Sequence, residues 1–404
     1  MKSLKSVVNT SPIIVGASIS GLTAAYYLAR AGVPARLFEA QAPFQPAERT
    51  LIVTPAWLRL LEGTPDEVVL NRIAAFELIS AGASARIPLR EPDVVIERAR
   101  FLQWLVQRLR EAGGEVLFGH RLTAIHPGRT HLILRFTTGE NRERWVPTFR
   151  VLGADGVHSA VARAIGEDGL ERVGLAQARV PLPPDLPPDT VRVWFDRATT
   201  RFFYWLIPES PQTAAAGVIA ENPGEARRRL EDFLRGHGLS PLGWQEEAEV
   251  PLFPLQAGRA PLGNGRVLLA GDAAGQVKVT TVGGVVTGMR GGLAAARSLL
   301  HHTFYDAELR SLRGELFTHA LVRRVLDSFT DEDYDELLGL LNGRTLALLG
   351  RYHRDELARA LWQSLLSQPG WLFLGARALV RSLSGGNDHC QDARPLRGQE
   401  RGGR

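Results

Sequence analysis

Apolar residues recur along this chain at two periods, and the changes between them mark its elements. Pro12 to Val15 is a short β-rich run. Gly21 to Ala31 is rich in alanine and leucine and stops at Gly32, and Ala35 to Phe38 is a second apolar run closed by Glu39. Together they predict strand, glycine turn, helix and strand, a compact βαβ unit. Residues 41–97 are mixed, with two helical patches and strand-like runs near Ala75 to Leu89. Arg98 to Gly113 reads as an amphipathic helix, with Phe101, Leu105, Leu109 and Ala112 on one face. Strand-like segments follow at Glu115 to Phe118, Leu132 to Phe136 and Phe149 to Leu152.

Prolines cluster at 181–188, and β-rich runs at 191–195 and 202–207 precede a helix with a basic face near Glu225 to Arg235. Arg266 to Ala270 returns to a buried-strand pattern, followed by a glycine-rich turn and the small-residue helix Gly291 to Leu300. From Tyr305 to Leu383 the pattern is helical throughout, and from Ser384 it is polar, charged and glycine-rich, as in a disordered tail. The expected division is discontinuous: 11–75, 95–170 and 255–300 form a Rossmann-like α/β domain. Segments 76–94 and 171–254 form an antiparallel-sheet domain, 301–383 a helical region, and 384–404 the tail.

Composition narrows the options. A chain of 404 residues can bury a large core. No apolar run approaches the ~20 residues that span a bilayer, and the N-terminal apolar stretch leads straight into a glycine loop, unlike a signal peptide. The single cysteine, Cys390, lies in the polar tail, which excludes a disulfide framework and a cysteine-ligated metal within one chain. Histidine spacing suggests no metal site, and the expected compartment is the cytoplasm. The net charge of +5 is carried almost wholly by arginine, the only lysines being Lys2, Lys5 and Lys278. No basic block is interleaved with aromatics, which argues against nucleic acid.

Chemistry enters at Gly16-Ala-Ser-Ile-Ser-Gly21, between the first strand and the first helix. Backbone amides at such a helix start point at a pyrophosphate, whose charge the helix dipole favours. Glu39, 18 residues after Gly21, stands where an adenosine ribose would be hydrogen-bonded. Ser18 replaces the middle glycine of the G-x-G-x-x-G pattern and is small enough to permit close approach.

Two later segments extend this reading. Gly153-Ala-Asp-Gly-Val-His-Ser159 resembles the G-A-D-G-x-x-S segment of flavin hydroxylases, which implies that Asp155 lies against the pyrophosphate and ribose; taken alone, Asp155 is a helix-capping turn former. Arg266-Val-Leu-Leu-Ala-Gly-Asp-Ala-Ala-Gly275 resembles their G-D-A-A segment. That resemblance implies that Gly271 and Asp272 approach the ribityl chain and that the next helix N-terminus faces the flavin. The order of the three segments resembles the FAD fold of p-hydroxybenzoate-hydroxylase type.

The continuation Gly271-Asp-Ala-Ala-Gly-Gln-Val-Lys-Val-Thr-Thr-Val-Gly-Gly284 resembles the G-D-A-A-G-x-V-K-P-T-T-G-G-G run of geranylgeranyl reductases, with Val279 for proline and Val282 for glycine. Phe203-Tyr-Trp-Leu-Ile-Pro208, with Gly217 beyond it, resembles the aromatic motif that lines their prenyl pocket, with Ile207 for phenylalanine and Ile219 for a second glycine. On a strand, Phe203, Trp205 and Ile207 share a face. The resemblance adds Arg49, Arg98, Gly283 and Gly284 to the cofactor set, and Phe203, Trp205, Ile207, Gly217 and Lys278 to the substrate set. Arg98 opens a helix that resembles the family's R-x-x-F-x-x-x-L segment; a surface arginine is the plain alternative. Studied members often carry a cysteine in the loop after the ribose acid. Gln41 to Thr54 has none, which excludes a thiol-dependent mechanism at the flavin.

The resemblance implies reduction of carbon–carbon double bonds in a polyprenyl lipid or quinone tail by reduced FAD, without metal. One dinucleotide fingerprint leaves an external reductant, NAD(P)H or a ferredoxin, to dock transiently. A monooxygenase acting on an aromatic or polyketide ring and a flavin-bound module without turnover remain alternatives. The catalytic proton donor is open; Tyr204 points away from Trp205. Leu361 to Leu374 is dense in tryptophan and leucine and is followed by Arg377 and Arg381, as in a helix docked on anionic headgroups; a core helix fits the same pattern. The purified protein is expected to be yellow, with noncovalent FAD. A colourless preparation that takes up no FAD on reconstitution contradicts this reading.

Overall fold

The computed structural model describes residues 11–60, 66–139, 141–245, 247–253, 265–341, 343, 345–346 and 370–384. Its nucleus is a five-stranded parallel sheet, in the order 267–269, 151–153, 13–15, 36–38 and 115–117. The first strand, Ile13–Val15, is buried and central. A buried strand in a parallel sheet is covered on both faces, so it reads as an apolar run with no alternation. Helix α1, Ile19–Arg30, begins two residues before the expected Gly21, because Ser18 caps it by accepting from Gly21 N.

Helix α2, Arg98–Glu111, buries Phe101, Leu105 and Leu109 on the expected face. Glu97 caps it: its carboxylate accepts from Ala99 N at 2.9 Å, Arg100 N at 2.7 Å and Arg49 N at 3.1 Å. Glu97 is 7 % exposed, so these three bonds offset the desolvation of a buried charge. The short α3, Ala160–Ala164, follows the strand 151–153. A three-stranded antiparallel sheet of 120–127, 132–138 and 143–148 packs beside it.

A second, larger sheet runs in the order 243–244, 172–181, 213–220, 204–208, 190–194, 69–79, 84–97 and 50–53, with 248–251 added beside 172–181. It takes in more chain than 76–94 and 171–254: Thr50–Val53 and residues 69–75 and 95–97 belong to it as well. Its pairings are antiparallel except that 190–194 runs parallel to 69–79. One face packs on α4, Pro223–Gly236, through alanines and Tyr204 and Leu206. The other carries Leu175, Trp205, Ile207 and Ile219.

Helix α5, Val285–His301, starts earlier than Gly291 and packs on α1. The helical region continues with α6, Tyr305–Asp327, α7, Asp331–Gly339, and a final helix Gly370–Ser384. Trp362, Leu365, Leu366 and Cys390 lie outside the described residues, as does the tail beyond Ser384. Arg377 and Arg381, for which the sequence left an interfacial helix and a core helix both open, pair with acids of α7: Arg377 with Asp333 and Glu336, Arg381 with Asp333. Leu374 is buried beside Phe329 and Tyr334, whereas Phe373 is exposed. No helix among the described residues is long and apolar enough to cross a membrane.

The Glu97 cap ties the loop before 50–53 to the start of α2. Glu97→Ala is expected to destabilise the fold by about 1–3 kcal/mol, since a charged acceptor of helix-end amides is lost. A urea midpoint unchanged from wild type would contradict that role.

Candidate cofactor and substrate site

The three glycine segments meet at the N-terminus of α1. Gly16 adopts φ +102°, and a Cβ there would lie 2.4 Å from Ala154 O, so the first loop rests on the second with no room for a side chain. Gly271 adopts φ +65°, where a Cβ would lie 2.4 Å from Ser20 Oγ, so the third segment touches the same helical turn. The carboxylate of Glu39 reaches back to this loop, accepting from Ala17 N at 2.7 Å and Gln41 N at 2.8 Å. Glu39 is thus at the glycine loop, as its spacing predicted.

Asp155 takes the capping role that its local sequence permits. Its carboxylate accepts from Ser159 Oγ at 2.5 Å, Ala160 N at 2.6 Å and Val161 N at 3.2 Å. Burial pushes its pKa above the ordinary carboxylate value against the opposing pull of these bonds. Both carboxylate oxygens therefore serve the start of α3.

Asp272, Gly283 and Gly284 border a cavity of about 540 Å³ lined by the large sheet, the segment 277–286 and Val322 and Leu326 of α6. Arg49 and Arg98 border it too. Arg98 N donates to Arg49 O at 2.9 Å and Arg98 Nη1 to Ala47 O at 3.2 Å, so the two arginines are held as a unit by the α2 cap region. Burial raises the pKa of Asp272, while the positive charges of Arg49 and Arg98 oppose the rise. Behind Asp272, Gly271 N donates to Gln276 Oε1 at 2.8 Å, and Tyr305 OH donates to Leu269 O at 2.8 Å, fixing the turn. Helix α5 has no side-chain cap at Gly284, and its first turn lines the cavity, so its amides and the positive end of its dipole face the space.

The far wall is the large sheet. Phe203, Trp205 and Ile207 all line the cavity, although Phe203 lies one residue before the strand Tyr204–Pro208. Tyr204 faces the opposite way, stacked on Phe233 with ring centres 4.4 Å apart. Gly217 lies under Trp205: a Cβ there would be 2.2 Å from the indole Cζ2. Lys278, 6 % exposed, lines the cavity from a tight turn in which its N donates to Gly283 O at 3.1 Å. Val282 in that turn has φ +50°, a conformation that favours glycine and strains a β-branched residue by about 1–3 kcal/mol. Its side chain occupies cavity space that a glycine would leave open.

Sequence reasoning missed two cavity groups. Gln177 comes from the strand 172–181, and Thr280 from the turn after Lys278, where its hydroxyl is 2.6 Å from Nδ1 of the buried His319 on α6. The only signal for Gln177 was a polar residue within an apolar strand; nothing local marked the Thr280–His319 pair, which is 39 residues apart.

A parallel-sheet nucleotide fold joined to a large sheet over an apolar cavity is the architecture of the flavoprotein hydroxylase class. The chain belongs to the FAD-binding domain family, whose model matches residues 9–308, and within it to the geranylgeranyl reductases. A geranylgeranyl diphosphate reductase of Rhodobacter capsulatus is 29% identical over 336 residues, 80% of this chain and 83% of that protein. A digeranylgeranylglycerophospholipid reductase of Methanopyrus kandleri is 30% identical over 319 residues, 69% of this chain and 73% of its own length. A geranylgeranyl bacteriochlorophyll reductase-like structure from Thermoplasma acidophilum shares the fold, with a TM-score of 0.69 at 16% identity, covering 88% of this chain and 95% of that one. A 3-amino-4-hydroxybenzoate 2-monooxygenase of Streptomyces cremeus is also similar, 27% identical over 294 residues, 65% of this chain and 71% of its own. The chain is an FAD-dependent oxidoreductase, and the glycine cradle, Glu39 and the uncapped α5 terminus fit that cofactor.

Gly217→Ala is expected to force the Trp205 indole off its seat and to cost about 1–3 kcal/mol, as overpacking does. Equal thermal midpoints for variant and wild type would show that the indole is not held there.

Proposed function

We propose that this enzyme reduces carbon–carbon double bonds of a polyprenyl chain carried by a lipid or quinone. The observation that supports this reading most is the cavity wall of Phe203, Trp205, Ile207 and their aliphatic neighbours, facing an uncapped helix start. Reduced FAD supplies the hydride when bound. In this reading Gly16, Ser18, Gly21 and Glu39 hold the adenosine and pyrophosphate half, with Asp155 shaping the adjoining backbone. Gly271, Asp272, Gly283, Gly284, Arg49 and Arg98 hold the flavin half, and the α5 dipole favours negative charge there. Phe203, Trp205 and Ile207, supported by Gly217 and joined by Lys278, receive the substrate.

An isolated alkene accepts hydride poorly, so the wall has to exclude water and fix the chain. A proton must also reach the neighbouring carbon. Thr280, hydrogen-bonded to His319, is where this wall can hold one, at the Thr280 hydroxyl. NAD(P)H or a ferredoxin-like protein serves as external reductant, and the substrate reaches the cytoplasmic enzyme from a membrane surface or a carrier. The hydroxylase reading is favoured by the monooxygenase relative alone.

The test is product analysis with dithionite-reduced holoenzyme, without oxygen, and geranylgeranyl diphosphate as substrate. The expected product has gained one molecule of hydrogen per bond reduced. An unchanged isoprenoid, together with oxygen-dependent insertion of an oxygen atom into an aromatic acid, would reverse the assignment.

A further inference from the structure

On the large sheet the cavity wall is apolar apart from Thr50 at its edge and one place further in. Gln177, Gly217 and Trp205 stand side by side on three adjacent strands, Gln177 opposite Gly217 and Gly217 opposite Trp205. Directly paired residues in antiparallel strands project from the same face, and both Gln177 and Trp205 line the cavity. Gln177 is 1 % exposed and Trp205 7 %. With no side chain at 217, the indole lies across the gap, its Nε1 2.8 Å from where a Cβ would be.

Each of these two side chains has one buried polar atom without a protein partner: Trp205 Nε1 and Gln177 Oε1. The orientation of the Gln177 amide is settled by its other end. Nε2 donates to Thr50 O at 3.2 Å, a carbonyl that can only accept, so Oε1 is the atom left without a protein partner. Thr50 is itself fixed, donating through N to Gln245 Oε1 at 3.0 Å and through its hydroxyl to Glu209. A donor and an acceptor are therefore held, desolvated, on the two strands that flank 213–220. Leaving either unmatched in a desolvated place is unfavourable.

We propose that this pair is a binding subsite for a neutral hydroxyl group on an otherwise apolar ligand. The hydroxyl oxygen accepts from Trp205 Nε1–H while its hydrogen is donated to Gln177 Oε1. A hydroxyl is the smallest group that both accepts and donates at one atom. A phosphate or carboxylate would set its charge against the Gln177 carbonyl, and a hydrocarbon would leave both groups unmatched. This deepens the reductase reading and rests on it for the prenyl body of the ligand; a phenol offers the same hydroxyl chemistry from an aromatic source.

The experiment uses the oxidised holoenzyme, uniformly ¹⁵N-labelled, with the Trp205 indole resonance assigned by its loss in Trp205→Phe. Farnesol, its methyl ether and the hydrocarbon farnesene are titrated, and 2-naphthol and naphthalene form a parallel pair. Farnesol should bind on the order of tenfold tighter than farnesene, move the Trp205 N–H resonance, and lose its advantage over the methyl ether in Gln177→Met. If 2-naphthol gains over naphthalene and moves the resonance while neither prenyl compound binds, the hydroxyl subsite stands and the prenyl reading falls. If no hydroxyl compound gains over its hydrocarbon, or the Trp205 resonance does not move, the subsite is overturned even where prenyl reduction is observed. The wild-type titrations decide the matter should Gln177→Met fail to fold.

Discussion

The structure depends on backbone meeting backbone at the first turn of α1. A Cβ at Gly16 would strike Ala154 O, one at Gly271 would strike Ser20 Oγ, and one at Gly292 would lie 2.2 Å from Ser20 O. Three segments far apart in sequence close on this one turn because none of them puts a side chain in the way. Any substituent there must push the strands 13–15 and 151–153, or helix α5, away from α1. The amides of the glycine loop and the carboxylate of Glu39 keep their mutual geometry only while that contact holds. The order of the parallel sheet and the approach of α5 follow from the same closeness.

From this nucleus outward, the site is built by tethers rather than by local rigidity. Glu97 binds the Arg49 loop to α2, and Gln276 and Tyr305 secure the Asp272 turn. The charges bordering the cavity are thus held by groups outside it. Val282 shows what the arrangement accepts: a left-handed conformation in a β-branched residue, retained because the turn between Lys278 and Gly283 is closed by its own hydrogen bond.

Much of this was legible in the sequence, where the signal is local. The βαβ unit, the buried face of α2 and the alternation that turns Trp205 from Tyr204 all follow from period and spacing. Asp155 shows the limit of a local signal: the same residue reads as a ligand contact by its motif and as a helix cap by its neighbours, and the structure shows the cap. Arg377 and Arg381 show another, since nothing in 370–384 reveals that the acids of α7 lie beside it. Gln177 and the Thr280–His319 pair become visible only once strand register and the α6 packing are known, because their meaning lies in residues distant in sequence.

The arrangement of the parallel sheet bears on how the chain is made. Its central strand is 13–15, while an edge strand is 267–269 and the covering helix α5 ends at His301. A ribosome adding about 5–20 residues per second takes on the order of 15–60 s to reach that point. For that interval the first βαβ unit has neither its third glycine segment nor the helix that seals α1. Its apolar faces, including Ile14, Leu22 and Leu28, wait for partners not yet synthesised. Until then these faces of the first βαβ unit lack the partners that cover them in the folded chain.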